Sequence, residues 1–254
     1  MMRLDLSIRV IKGVYMFIMF VLFALAIFLS ITVMFPLLIL LNRLTTGHTA
    51  SAQTFIATFF TMWLWFLRAG QLITWKPPIG HITQEPCMIV CNHPGLFDIL
   101  FLVRDIPKCC MMVKRSLAYK LGLAPVFHLA RYVVAPIAGD HASGLQCARQ
   151  SVNCLKDGYH FVLFPEGTRS PRGALHTFTP GAFSIAIQAG VTVQPIVIHN
   201  MRPFMPKEDK WYLPQRNVSV FQMEFLAPIK TGSDTRAKTL CTDVETLIAN
   251  KLND

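Results

Sequence analysis

The sequence predicts an α/β fold, with a central mixed sheet flanked by helices, preceded by an N-terminal hydrophobic two-helix membrane anchor. Three observations predict it. From residue 87 onward, short apolar runs alternate with amphipathic stretches, the pattern of strands feeding helices. Two long apolar segments occupy only the beginning of the chain. Hydrophobic residues make up 53% of the 254 residues against 15% charged, beyond the usual soluble composition, and the excess belongs to that beginning. The length suits one α/β domain plus an attachment element, so the expected division is an anchor over residues 1–75 and a domain over residues 76–254.

Residues 13–41 form an almost unbroken apolar run, about 43 Å long if helical and longer than a bilayer core. Arg3, Arg9 and Lys12 precede it and Arg43 follows. The run is about twice the length of a signal-peptide core and no clean cleavage site follows, so it is expected to be retained. A second segment, residues 55–67, is too short to span alone. Thr54, Thr58, Thr61 and Arg68 give it a thin polar stripe, which suits a helix lying in the membrane interface, with Trp63, Trp65 and Trp75 as anchors at headgroup depth. The basic residues before the first run favour a cytoplasmic N-terminus. With the following domain also cytoplasmic, the first segment is expected to be a hairpin bent near Pro36 or a helix inserted in one leaflet.

Lys and Arg outnumber Asp and Glu 24 to 14, a net charge of +10 that suits an anionic membrane surface or an acidic carrier protein. Basic runs with interleaved aromatics are absent, which excludes a nucleic-acid reader. Seven cysteines show neither a CxxC pair nor zinc spacing, and reduced thiols in a cytoplasmic domain are expected. The remaining histidines lack ligand spacing, so no metal site is expected.

After the turn-rich Pro77-Pro78-Ile79-Gly80, residues 87–91 read as a buried strand. The turn residues 92–95 then lead into a helix, putting His93 at a strand's end and Asp98 in the first helical turn. Strands follow at 110–113, 132–137, 160–164, 193–198 and 218–225. Helices are expected at 117–122, 143–155, 182–189 with Gly190 ending it, and 236–252.

Pro94-Gly95 folds the chain back, so imidazole and carboxylate five positions apart can meet. A carboxylate on one ring nitrogen raises the basicity of the other, which makes His93 a general base for an alcohol. The second motif is Phe164-Pro165-Glu166-Gly167-Thr168-Arg169-Ser170. Its loop follows a buried strand, where backbone amides and the Arg169 guanidinium can grip a phosphate.

Together, Asn92-His93-x-x-x-x-Asp98 and this string resemble the glycerophospholipid acyltransferase family, which includes the 1-acylglycerol-3-phosphate acyltransferases; the resemblance covers roughly residues 85–200. It implies His93 as the base and Asp98 as its orienting partner. It implies an acceptor site of Glu166, Gly167, Thr168 and Arg169, with Arg169 on the phosphate, and a phosphate-binding role for Lys114, with Arg115 as its rival. Glu166 has a second reading, an ion pair with Arg169 that holds the loop. Residues 194–197 resemble the family's fourth block, a strand lining the acyl pocket. The implied substrates are acyl-CoA or acyl-carrier protein as donor and a membrane lysophospholipid as acceptor, with no cofactor.

Three positions depart from the family pattern. Gly95 stands where a Ser is usual, Ala138-Gly139-Asp140-His141 replaces an aromatic-Asp-Arg block, and Thr179 stands where a basic residue is common. These departures leave open another lipid acceptor, such as a lyso-aminolipid or a lipid A precursor. A non-catalytic lipid-binding protein on the same fold is the rival from another class. The intact motifs argue against it, and the scarcity of further His and Asp clusters argues against a metal-dependent phosphoesterase.

Overall fold

The computed structural model describes residues 2–34, 36–37, 40, 50–120, 123–171, 174–200, 204, 217–232 and 234–253. In chain order they form α1 (Met2–Leu29), which continues as a π-helical turn at Ser30–Met34, then α2 (Ala50–Ala69), β1 (Ile73–Trp75) and β2 (Cys87–Cys91). Next come α3 (Asp98–Asp105), β3 (Cys109–Val113), α4 (Arg115–Lys120), α5 (Ala124–Leu129), β4 (Val133–Val134), α6 (His141–Lys156) and β5 (His160–Leu163). The chain closes with α7 (Gly181–Ala189), β6 (Thr192–His199), β7 (Ser219–Phe225) and α8 (Ala237–Asn253).

The seven strands make one mixed sheet in the order β1-β7-β6-β2-β5-β3-β4. Five of them, β6, β2, β5, β3 and β4, run parallel. The strand β7 pairs antiparallel with β6, and β1 pairs parallel with β7. All five residues of β2 are buried, as expected of a central strand covered on both faces. Its alternation feeds two cores. Ile89 packs on one face with Val162, Met111 and the helices α1 to α3. Met88 and Val90 pack on the other with Phe161, Phe183 and Val244, under α6 to α8.

Most predicted elements are present, and the differences have local causes. The strand expected over residues 132–137 is only Val133–Val134, because Ala135 donates the last bond to Val113 O and Pro136 has no N–H to continue the ladder. The short helix α5 begins with Pro125 in its first turn, where a missing N–H costs nothing. The end of the preceding helix expected at Gly122 lies outside the described residues. Gly190 closes α7 in the left-handed conformation, φ 70°. All seven cysteines are free and buried, and burial pushes the Cys87 and Cys109 thiols up to about 12.

The expected boundary at residue 75 does not fall in a gap. Strand β1 is hydrogen-bonded into the sheet through Ile73, Thr74 and Trp75, and α2 packs against α3. The second apolar segment is therefore a 20-residue helix built into the domain, not an isolated interfacial one. Ala52, Ile56, Trp63, Leu64 and Leu67 are buried in the core. Of the three expected anchors only Trp65 is well exposed. Trp63 is buried, and Trp75 lies between the Arg68 and Arg104 guanidiniums at 4.7 and 4.8 Å. The threonine stripe instead lines a cavity of about 720 Å³ with Val103, Ile106 and Tyr132.

The helix α1 lies antiparallel to α2. Lys12 Nζ donates to Gln71 O at 2.7 Å and Tyr15 Oη to Phe66 O at 2.7 Å, while Phe23 stacks on Phe59 further along. Tyr15 fits only because residue 70 is glycine, where an added Cβ would stand 2.1 Å from its ring. Ser7–Met34 is the one stretch among the described residues long and apolar enough to cross a membrane, with 6% of its most apolar window buried. At Ser30–Met34 the helix loosens where Ser30 Oγ and Thr32 Oγ1 donate to the carbonyls of Ala26 and Phe28. The expected Arg43 boundary and most of the connection after Pro36 lie outside the described residues.

Candidate active site

The backbone of β2 ends at Cys91, and Asn92 fastens that end. Its side chain donates to Ile198 O at 3.0 Å and accepts from Ile198 N at 2.8 Å, locking the strand end to β6. The chain then turns through His93-Pro94-Gly95 and enters α3 at Asp98. His93 Nδ1 meets Asp98 Oδ2 at 2.9 Å, and the Gly95 N–H donates to the same oxygen at 2.6 Å. Two donors on one oxygen fix the carboxylate. The His93 ring stacks on Phe164 at 4.1 Å between centroids and remains 19% exposed, whereas Asp98 is buried. Nδ1 is thus engaged, and Nε2 is the nitrogen left to take a proton from an alcohol.

Electrostatics set a tension here. Burial pushes the Asp98 carboxyl above its ordinary range, while the His93 ring, the Gly95 N–H and the positive charge of Arg169 pull it back down. Arg169 is therefore near enough to act on the dyad. Ionised Asp98 is held in a place that does not suit a charge, which is what a partner for a developing imidazolium requires.

The Glu166 loop joins the dyad from β5. Glu166 is buried, and both its oxygens are spent on protein groups. Oε1 accepts from His93 N at 3.1 Å and from Ser170 Oγ at 2.5 Å, and Oε2 accepts from His176 N at 2.8 Å. Ser170 N returns a bond to His93 O at 2.8 Å. Glu166, expected among the acceptor-binding residues, holds the backbone of His93 and the loop at His176. Gly167 is exposed at φ +67°, a conformation that suits glycine, and an added Cβ there would meet nothing within 4 Å, so its requirement is conformational. Thr168 is exposed and Arg169 half-buried on the same loop. Lys114 is exposed at the end of β3, two strands from β2 and roughly 10 Å away by strand spacing. It stands on the same sheet edge but outside the dyad's contacts.

A sequence model of the acyltransferase family matches residues 76–199, the stretch that holds both motifs. Residues 76–199 belong to the acyltransferase family. The 1-acyl-sn-glycerol-3-phosphate acyltransferase of Pseudomonas aeruginosa is 33% identical over 152 residues, 58% of this chain and 57% of that protein. A chloroplastic enzyme of the same name from Brassica napus is 30% identical over 177 residues, 67% of this chain and 48% of that one. The match thus spans about half the length of these relatives. The crystal structure of the 1-acyl-sn-glycerophosphate acyltransferase PlsC from Thermotoga maritima covers 96% of both chains with a TM-score of 0.70 at 17% identity, which shows a shared fold.

The structure brings His93, Asp98, Glu166 and Arg169 of the family motifs together. Ser170 and Phe164 also belong to the site, the first as a clamp on the His93 backbone and the second as a platform for its ring. Both stand in the acyltransferase string itself, but their roles depend on which way the loop faces. The buried Gln194 ties β6 to residues 81–83 and Leu226, so the fourth-block strand is anchored deep in the sheet. Thr179 donates from both N–H and hydroxyl to Pro165 O at 3.0 Å, bracing the Glu166 loop from below.

Proposed function

We propose that this chain transfers a fatty acyl group from acyl-CoA or acyl-carrier protein to the free hydroxyl of a lysophospholipid such as 1-acylglycerol-3-phosphate, in phospholipid biosynthesis. The observation that carries this is the buried Asp98 carboxylate on His93 Nδ1. His93 Nε2 takes the acceptor's hydroxyl proton as its oxygen attacks the thioester carbonyl, and Asp98 stabilises the imidazolium that forms. The tetrahedral intermediate then collapses, and the imidazolium protonates the departing thiolate. Arg169, with the backbone of Gly167 and Thr168, holds the acceptor's phosphate, and Lys114 supplies a second positive charge on the same edge. The names of the relatives and the family match support the acceptor class.

The reaction belongs at a membrane. The outward side of α1 presents Val14, Phe17, Val21, Leu25 and Phe28, all exposed. The bond from Lys12 to Gln71 O supports an anchor whose start lies beside the domain, so that the N-terminus and the catalytic domain share the cytoplasmic face. The test is transfer itself: purified protein in anionic vesicles, given labelled acyl-CoA or acyl-carrier protein and 1-acylglycerol-3-phosphate, should form the diacyl product. Transfer only to a different lysolipid would replace the acceptor, and no transfer to any lysolipid would defeat the enzymatic reading.

A further inference from the structure

A second polar cavity opens at the same strand-end edge as the dyad. It encloses about 280 Å³ and is lined by Arg115, Tyr119, His128, Tyr132, Gln146 and Gln150 on α4, α5, α6 and the approach to β4. None of the described residues lining it is acidic. Tyr132 borders this cavity and the 720 Å³ one alike, and its hydroxyl is buried out of reach of either.

Sheet register gives the distance to His93. Val90 aligns with Leu163, Met111 with Val162, and Val113 with Val134, so β2, β5, β3 and β4 end in step. Val134 and Ala135, which also line the cavity, are therefore three strand spacings from the end of β2, roughly 14 Å. A pantetheine arm has about 13 bonds between sulfur and phosphorus. At three bonds per extended residue length, it reaches roughly 15 Å.

We propose that this cavity receives the phosphate end of a 4′-phosphopantetheine arm, the chemistry shared by coenzyme A and carrier-protein thioesters, so that the thioester arrives at His93 along the strand ends. Arg115 meets the phosphate, and Gln146 and Gln150 meet the arm's amides and hydroxyl. The inference rests on the acyl-transfer reading and identifies the donor's side of that site.

Binding is measured on the full-length His93→Ala protein in detergent, where no turnover intervenes and a failure of the catalytic reading does not obscure the result. Free coenzyme A should bind about tenfold more tightly than unphosphorylated pantetheine, and adding Arg115→Ala should erase that difference. Adding Gln146→Ala with Gln150→Ala should weaken both probes alike. In the active protein, Arg115→Ala should raise the donor KM about tenfold and leave the lysolipid KM unchanged. A rise confined to acyl-CoA assigns the arm to coenzyme A, and one confined to acyl-carrier protein assigns it to the carrier; either supports the cavity. Equal binding of coenzyme A and pantetheine, or a rise in lysolipid KM with the donor KM unchanged, overturns it.

Discussion

Around His93 the side chains turn inward and spend their polar atoms on one another, while along the outer stripe of α1 they turn outward and have almost no polar atoms to spend. Glu166 alone accepts three hydrogen bonds, and Asp98 is buried although burial disfavours its charge. Val14, Phe17, Val21, Leu25 and Phe28 stand exposed at helical spacing. Each region sacrifices something an ordinary soluble fold keeps. The strand-end site gives up stability to bury a carboxyl beside His93, and the α1 stripe gives up solubility by leaving large apolar side chains exposed. Substitutions at the first should therefore separate activity from stability, and substitutions at the second should separate membrane binding from both.

Among the groups that support His93, the largest effect is expected at Asp98→Asn, where two quantities move in opposite directions. Because Asp98 Oδ2 receives both the His93 and Gly95 donors, an amide oxygen in its place keeps both bonds and the ring's orientation. Only the charge is lost, and turnover should fall on the order of 10²-fold, within the range of general-base effects. Stability should rise or hold at neutral pH. Since burial raises the folded pKa above the unfolded one, ionised Asp98 costs stability above that raised value, and the cost disappears as pH falls below the ordinary value of 3.8. The variant's advantage in denaturant should shrink over the same acid range. A variant that is less stable at pH 7 and not at low pH would reverse the sign.

Next is Glu166→Ala, which takes the acceptor from the His176 N–H and the Ser170 hydroxyl and leaves the His93 N–H with Ser170 Oγ alone. At about 1–3 kcal/mol per unsatisfied buried group, with Ser170 the one buried group left short, unfolding should show a loss of about 2 kcal/mol together with reduced turnover. Loss of lysolipid affinity with stability unchanged would return Glu166 to the acceptor's contacts. A smaller effect is expected on the other region. Phe17→Glu with Leu25→Lys should release the protein from vesicles while detergent activity and melting temperature stay within error, because both side chains are exposed. Unfolding of that variant would show that the stripe is packed. The smallest is Gly95→Ala. An added Cβ there stands 3.1 Å from Asp98 Oδ1 and 3.2 Å from Phe204 O, so a loss of about 1 kcal/mol and a few-fold drop in turnover are expected. The glycine that replaces the family's usual Ser is thus matched to the close approach of Phe204.

The same contrast explains what the sequence made legible. The dyad could be read because Pro94-Gly95 dictates a turn between two groups whose chemistry is specific, and the buried strands could be read because β-branched and sulfur-bearing runs have few other uses. The role of Glu166 could not, since a carboxylate in a loop serves a ligand or a neighbouring backbone equally well until the loop's facing is known. Strand β1 escaped because three residues carry no period, and its existence depends on β7, nearly 150 positions away. The burial of α2 escaped for a related reason. A helix apolar on most sides reads alike whether lipid or protein covers it, and only packing on α3 separates the buried Trp63 from the exposed Trp65.

The central claim is that His93 is the base for acyl transfer, and the most direct measurement is turnover of His93→Ala in vesicles at saturating donor and lysolipid. Circular dichroism and vesicle flotation would be run alongside. The account predicts a fall on the order of 10²–10⁴-fold with fold and membrane association intact. Turnover equal to the unsubstituted protein under those conditions would contradict it.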